Sequence, residues 1–290
     1  MSFQPGPALG LFVLAVLYVR AARVLGGRGY RVPVGQQVFW WVGLAFLTAA
    51  FLSPLDTEAL KVVSAHMAQH VLMGDIAVPL MLIGVRNPVL QFMLPPSVLA
   101  PLARRRGLRA FFHRLRNPAV AIGVYTLVLY GWHLGPTFTA ALKNDYVHAL
   151  QHQSFILFSA LVWWPLIEPN KRRMPGHLWK IPYILGARVP TMFLGMAFVV
   201  AQTPFYASFY GSGTRAGGLS PIEDQQIGGA IMMVVDIVTL MVVLTAVFWR
   251  SAREDEANAP VREAGAEGDL ADVHDERHVE PGVQVAQVRQ

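Results

Sequence analysis

Five of the nine histidines lie in or at the end of apolar stretches, and four of them form two pairs of one spacing. His66 and His70 sit in SAHMAQHVLMGD, His148 and His152 in YVHALQHQSFIL, and His133 closes YGWHL. On a helix, residues i and i+4 project from one face, as metal-holding or proton-handling pairs require. An ionisable group inside a membrane helix is rare and points to function. Imidazole suits copper, zinc, iron and nickel, whereas thioether sulfur selects Cu(I). Met67 adjoins the first pair, and Met196, Met232 and Met233 fall in later apolar stretches, although methionine is also a common core filler. The chain has no cysteine, which excludes disulfides, thiolate zinc sites and cysteine-based copper shuttling. A histidine-rich, cysteine-free site on an oxidising side favours copper over zinc. The plainer reading is that such histidines are amphipathic interface residues. A lone HxxxH also arises by chance, as His274 and His278 show in an acidic tail, and His113 and His177 lie in basic loops with no such context.

The elements that carry these residues are membrane helices. The chain is 54% hydrophobic and 14% charged, against about 25% charged in soluble domains. Crossing a bilayer takes ~20 apolar helical residues. Seven stretches qualify, at 8–25, 37–53, 62–84, 118–135, 146–167, 181–203 and 226–249. The stretch 88–100 is too short and too proline-rich to span and reads as interfacial. No Lys or Arg precedes residue 8 and no clean cleavage site follows, so the first stretch is expected to be a retained helix rather than a signal peptide. Residues 251–290 carry ten acids and four bases, a net −6, which leaves +12 on residues 1–250. The expected fold is all-α: a polytopic bundle of seven transmembrane helices in residues 1–250, followed by a disordered acidic cytoplasmic tail.

Lys and Arg alternate between loops. They gather at Arg28 and Arg31, again at Arg104, Arg105, Arg106, Arg109, Arg114 and Arg116, and again at Lys171, Arg172, Arg173 and Lys180, while the intervening loops are poor in them. The positive-inside rule then puts the amino terminus outside and the carboxyl tail inside. This alternation is topological and gives no sign of nucleic-acid binding. In that orientation His66, His70, His148, His152 and His133, together with Asp224 ahead of the last helix, come from four helix ends at one level near the outer face.

Deeper, Asp75 and Asp236 lie near the middles of the third and seventh helices and Arg188 in the sixth. A charge there costs ~2.5–3.5 kcal/mol on insertion scales unless paired. An Asp–Arg network locking three helices together is one reading, and a polar path for protons or ions is the other. The outer loop 203–224 holds Phe205, Tyr206, Phe209 and Tyr210, followed by Gly211, Gly213, Gly217 and Gly218. It reads either as a lid over the histidines or as an aromatic belt with a loose loop.

Three stretches carry a family likeness: LSPLDTEALKVVSAHMAQHVLMGDIAVPLMLIG (52–84), GWHLGPTFTAALKNDYVHALQHQSFILFSALVWWPL (131–166) and LSPIEDQQIGGAIMM (219–233). In combining HMxQH, WH, HxxxH and DQxxGG the chain resembles the CtaG-type cytochrome c oxidase assembly proteins of bacterial plasma membranes. The resemblance implies a non-enzymatic assembly factor for a haem–copper oxidase that handles copper for an oxidase subunit. It carries His66, His70, His133, His148, His152, Asp224 and Gln225 over as functional residues. The expected site is thus a copper centre of His66, His70, His148 and His152, with His133 and Asp224 either as accessory ligands or as supports behind the ligands. Its partners would be an oxidase subunit and the lipid bilayer, and a homo-oligomer is compatible with the sequence. Three other readings stay open: a haem-binding redox protein, a copper or proton transporter, and a metal-free scaffold.

Overall fold

A computed structural model describes residues 5–167, 178–215 and 218–276. Its regular elements are all helical among these residues: α1 (Pro5–Gly26), α2 (Val34–Leu52), α3 (Pro54–Ala59), α4 (Val63–Val71), a π-helical segment (Leu72–Ala77), α5 (Val78–Gly84), α6 (Val89–Met93), α7 (Pro96–Arg104), α8 (Arg106–Leu115), α9 (Pro118–His133), α10 (Gly135–Lys143), α11 (Asp145–Ile167), α12 (Lys180–Val200), α13 (Ala207–Tyr210) and α14 (Pro221–Glu276). His177, His278, Lys171, Arg172, Arg173 and Gly217 lie outside the described residues.

Local chemistry sets several boundaries. Ser53 Oγ accepts the Leu55 N–H at 3.1 Å to start α3, and Asn117 Oδ1 accepts the Ala119 N–H at 3.0 Å to start α9. Ser220 and Glu223 exchange backbone-to-side-chain bonds of 3.2 and 2.7 Å, a reciprocal capping box ahead of α14. Proline at the first turn suits α3, α9 and α14, where its missing N–H costs no intrahelical bond.

Five helical stretches are long and apolar enough to cross a membrane: Gly6–Gly26, Val34–Leu52, Val63–Gly84, Lys180–Val200 and Pro221–Glu254. A sixth arises if α9 and α10, bent by 71° at their junction, are taken as one span. The sequence reading differs in its count of seven. The extra candidate is α11, whose His148, Gln151, His152, Gln153 and Ser154 dilute its apolar character within two turns. The backbone of α14 is helical through residue 276, where alanine, glutamate and arginine favour helix even without an apolar face. Residues 277–290 lie outside the described residues.

Close backbone approach organises the bundle. A Cβ on Gly229 would stand 2.6 Å from the Gly195 carbonyl oxygen, so α12 and α14 touch where neither has a side chain. Likewise a Cβ on Gly84 would stand 2.6 Å from Trp40 Cβ, which joins α5 to α2. Small residues at such crossings replace the hydrophobic drive that lipid cannot supply. Tyr18 of α1 stacks on Trp40 at 4.6 Å between centroids, tying the first helix to this pair.

The third span is not a plain α-helix. Its π turn falls at Leu72–Ala77, just ahead of Pro79, which cannot donate a backbone hydrogen bond. The Ser159 hydroxyl of α11 donates to the Gly74 carbonyl there. That turn also holds Asp75, so the irregular backbone and the buried carboxylate coincide.

Candidate metal centre

The two histidine pairs face each other across α4 and α11. His66 and His70 ring centroids are 4.2 Å apart, as are those of His148 and His152. Across the helices His66 stacks on His148 at 5.6 Å, and His70 meets His152 at 5.5 Å. His133, at the end of α9, stands 6.0 Å from His70. Two imidazoles on one ion, each nitrogen ~2.0 Å from it, hold their ring centroids roughly 5–6 Å apart. The spacings between helices fall in that range. His66 is fully buried, His70 and His152 are buried, and His133 and His148 are half-buried.

Seven nitrogens of these rings lack hydrogen-bond partners. Both nitrogens of His66 and His70 and the Nε2 atoms of His133, His148 and His152 are buried without a hydrogen bond. The Ala59 carbonyl faces His66, but the well-formed bond it accepts comes from the Tyr210 hydroxyl at 2.8 Å. For His133 the tautomer follows from its neighbour: Nδ1 lies 2.7 Å from the Leu129 carbonyl, which can only accept. Nδ1 therefore carries the proton and Nε2 presents a free lone pair. Buried polar groups without partners are uncommon in folded proteins and call for an explanation. A neutral imidazole donor set fits a soft or borderline cation. In the present side-chain positions, however, no three His, Cys, Asp or Glu groups among the described residues converge on one point.

An aromatic layer covers this end. Phe138 of α10 lies 4.8 Å from His66 and stacks on Tyr206 at 3.7 Å. The Tyr206 hydroxyl donates to the His133 carbonyl at 2.8 Å. Burial pushes both the Tyr206 and Tyr210 hydroxyls well above the usual tyrosine range, and nearby Asp224 adds to the shift at Tyr210, so both stay protonated donors. The loop between α12 and α14 therefore packs over the histidines with its first aromatics. Gly211 and Gly218, at φ of +74° and +84°, turn it back toward α14.

Asp224 takes the supporting place of the two expected for it and does not face the rings. Its Oδ2 accepts the Val63 N–H at 2.8 Å, and its Oδ1 accepts the Ser64 N–H at 3.0 Å and the Ser64 hydroxyl at 2.6 Å. Arg215 stands 3.5 Å away. With both oxygens committed, Asp224 caps the start of α4 from another helix and fixes the depth of His66 and His70. Gln225 accepts the Phe205 N–H at 2.7 Å and so anchors the covering loop. Of the methionines, Met67 and Met232 are buried near the histidines, Met196 is exposed, and Met233 packs against Gly195.

Below the cluster, Arg188 Nη1 meets Asp75 Oδ1 at 2.5 Å, and Arg188 Nε donates to Asp236. One guanidinium thus joins α12, the π segment and α14 in a buried network. Gln151 was not singled out from sequence, yet it is fully buried between His148 and His152 with both amide atoms unpartnered. A glutamine inside an apolar helix, three residues after one histidine and directly before another, was the available signal.

The chain is 25% identical over 268 residues to the uncharacterized protein Mb0105 of Mycobacterium bovis and to the uncharacterized protein MT0111 of Mycobacterium tuberculosis. It is 25% identical over 270 residues to the uncharacterized protein ML1998 of Mycobacterium leprae. Each alignment covers 90% of this chain but 40% of the relative, so the chain spans about two fifths of the length of these proteins. No solved structure matches. Residues 16–254 match the family described as cytochrome c oxidase caa3 assembly factor (Caa3_CtaG), and that stretch contains all five clustered histidines, the capping Asp224 and the Asp75–Arg188–Asp236 network. The chain belongs to the cytochrome c oxidase caa3 assembly factor family.

Proposed function

We propose that this membrane protein assists assembly of a haem–copper cytochrome c oxidase by holding copper at the histidine cluster and passing it to an oxidase subunit. It is read as a carrier rather than an enzyme. The observation that carries the reading is the set of seven unpartnered ring nitrogens on His66, His70, His133, His148 and His152, buried together at one end of the bundle. Neutral imidazoles bind a metal yet release it by ligand exchange, as a carrier needs. Small rotations of rings already 5.5–6.0 Å apart would bring their nitrogens onto one ion.

In this reading seven helices cross a bacterial plasma membrane, with α11 as the span whose polar face the metal site occupies. The amino terminus is outside, the acidic carboxyl tail inside, and the copper site faces outward. The tail is a separate cytoplasmic appendage. The Asp75–Arg188–Asp236 network is the rigid floor beneath the site.

The test is copper retained by the purified, detergent-solubilised protein after Cu(I) loading and desalting, beside a His66→Ala/His70→Ala variant. About one copper or more per chain, lost in the variant, is the expected outcome. No retained copper in either protein would leave a metal-free scaffold as the better account.

A further inference from the structure

Resting on that copper reading, we infer that the cation seats one layer below His66, His148 and His152, in a chamber where Met67 and Met232 supply thioether ligands beside His70 and His133, and that it is held as Cu(I). A cavity of about 30 Å³ lies among α4, the π segment, α9, α11, α12 and α14, and these four side chains all line it. A water needs ≳10–15 Å³ of such space, so the chamber takes one ion or a water or two. Both nitrogens of His70 and Nε2 of His133 are buried and unpartnered. His133 Nε2 bears its lone pair because Nδ1 donates to Leu129.

The methionines meet there for a definable reason. Met67 is three residues before His70, on the same face of α4. Met232 is one turn after Gly228 on α14. A Cβ on Gly228 would stand 3.2 Å from Met67 Cγ, so the bare glycine lets α4 close on α14 and brings Met67 and Met232 to one crossing. Both side chains are fully or nearly fully buried, at 0% and 4% exposure. Histidine and carboxylate groups alone do not converge on a point among the described residues. A set of two imidazoles and two thioethers does not depend on such convergence.

The charge balance favours the monovalent ion. All four donors are neutral, and thioether sulfur is a soft ligand that selects Cu(I) over divalent ions. Asp75, which also lines the chamber, is already paired with Arg188 at 2.5 Å and serves as a distant counter-charge rather than a ligand. His66, His148 and His152 would then receive the ion from outside and hand it down, or take it back on release.

X-ray absorption of the Cu(I)-loaded, detergent-solubilised protein tests this, beside a Met67→Leu/Met232→Leu variant, since Leu–Met exchange conserves volume and is well tolerated. The expected result is a sulfur shell at roughly 2.3 Å, the usual first-row metal–sulfur length, which disappears in the variant as Cu(I) retention falls. Copper bound with only a nitrogen or oxygen shell would overturn the inference and leave the histidine copper reading standing. A sulfur shell that persists in the variant would overturn the assignment to these two methionines. No copper retained by the native protein would overturn both.

Discussion

Single residues divide by what limits their meaning. The five histidines were legible because imidazole in an apolar helix has few structural uses, and their i, i+4 spacing requires no knowledge of the fold. Asp224 was not legible. In sequence it is one acid beside a helix start, and the two N–H groups and one hydroxyl it accepts from lie 160 and 161 residues earlier. Only tertiary contact shows that it caps α4 instead of facing the rings. Asp224→Ala should therefore keep the copper stoichiometry and the coordination shell of the native protein. It should also lower stability by about 1–2 kcal/mol, the usual worth of a helix cap. Thermal unfolding in detergent and metal analysis of one sample check both statements. Loss of copper with an unchanged melting temperature would return Asp224 to the ligand set.

Elements were legible where they are long and uniformly apolar, and less so where function intrudes. The helices α1, α2, α12 and α14 satisfy length and hydropathy with no polar interruption strong enough to hide them. The helix α11 does not, because two histidines, two glutamines and a serine fall within two of its turns. The π turn in the third span was likewise unreadable, since Gly74, Asp75 and Pro79 fit an ordinary kinked helix equally well. Its role follows from Arg188, which ties Asp75 and Asp236 and so holds the π segment, α12 and α14 together. Removing one partner of a buried ion pair costs about 3–5 kcal/mol because the remaining charge stays buried. Arg188→Leu leaves two such carboxylates, so it should unfold at markedly lower temperature. Arg188→Leu combined with Asp75→Asn and Asp236→Asn should recover part of that loss. If the triple variant is no more stable than the single one, the network does not account for the cost. Gly229→Leu should also destabilise, because its side chain would enter the α12 backbone at Gly195.

At the scale of the whole molecule, the pattern of loop charges and the hydropathy of α11 pull apart, and a topology experiment decides between them. Every positive-inside argument on this chain places Lys61 and Lys143 on one side of the membrane and Arg105 on the other. Both a seven-span and a six-span chain satisfy that arrangement, because α11 comes after all three positions. Arg253, past the last apolar stretch, separates the two. If α11 crosses, Arg253 shares a side with Arg105; if it packs without crossing, Arg253 shares a side with Lys61 and Lys143. The burial of Gln151, His152 and Phe155 within the bundle, beside exposed Leu150 and Leu157, gives α11 one polar, protein-facing side and one apolar side suited to lipid. A helix of that kind can cross although its mean hydropathy is modest, since the bundle covers its polar groups. The chain has no cysteine, so the four single substitutions Lys61→Cys, Arg105→Cys, Lys143→Cys and Arg253→Cys each introduce one reactive thiol with no background. In intact cells a membrane-impermeant maleimide should label the first and third and spare the second and fourth. Labelling of Arg253→Cys together with Lys61→Cys and Lys143→Cys would mean that α11 does not cross, and would put the acidic tail on the same side as the histidines.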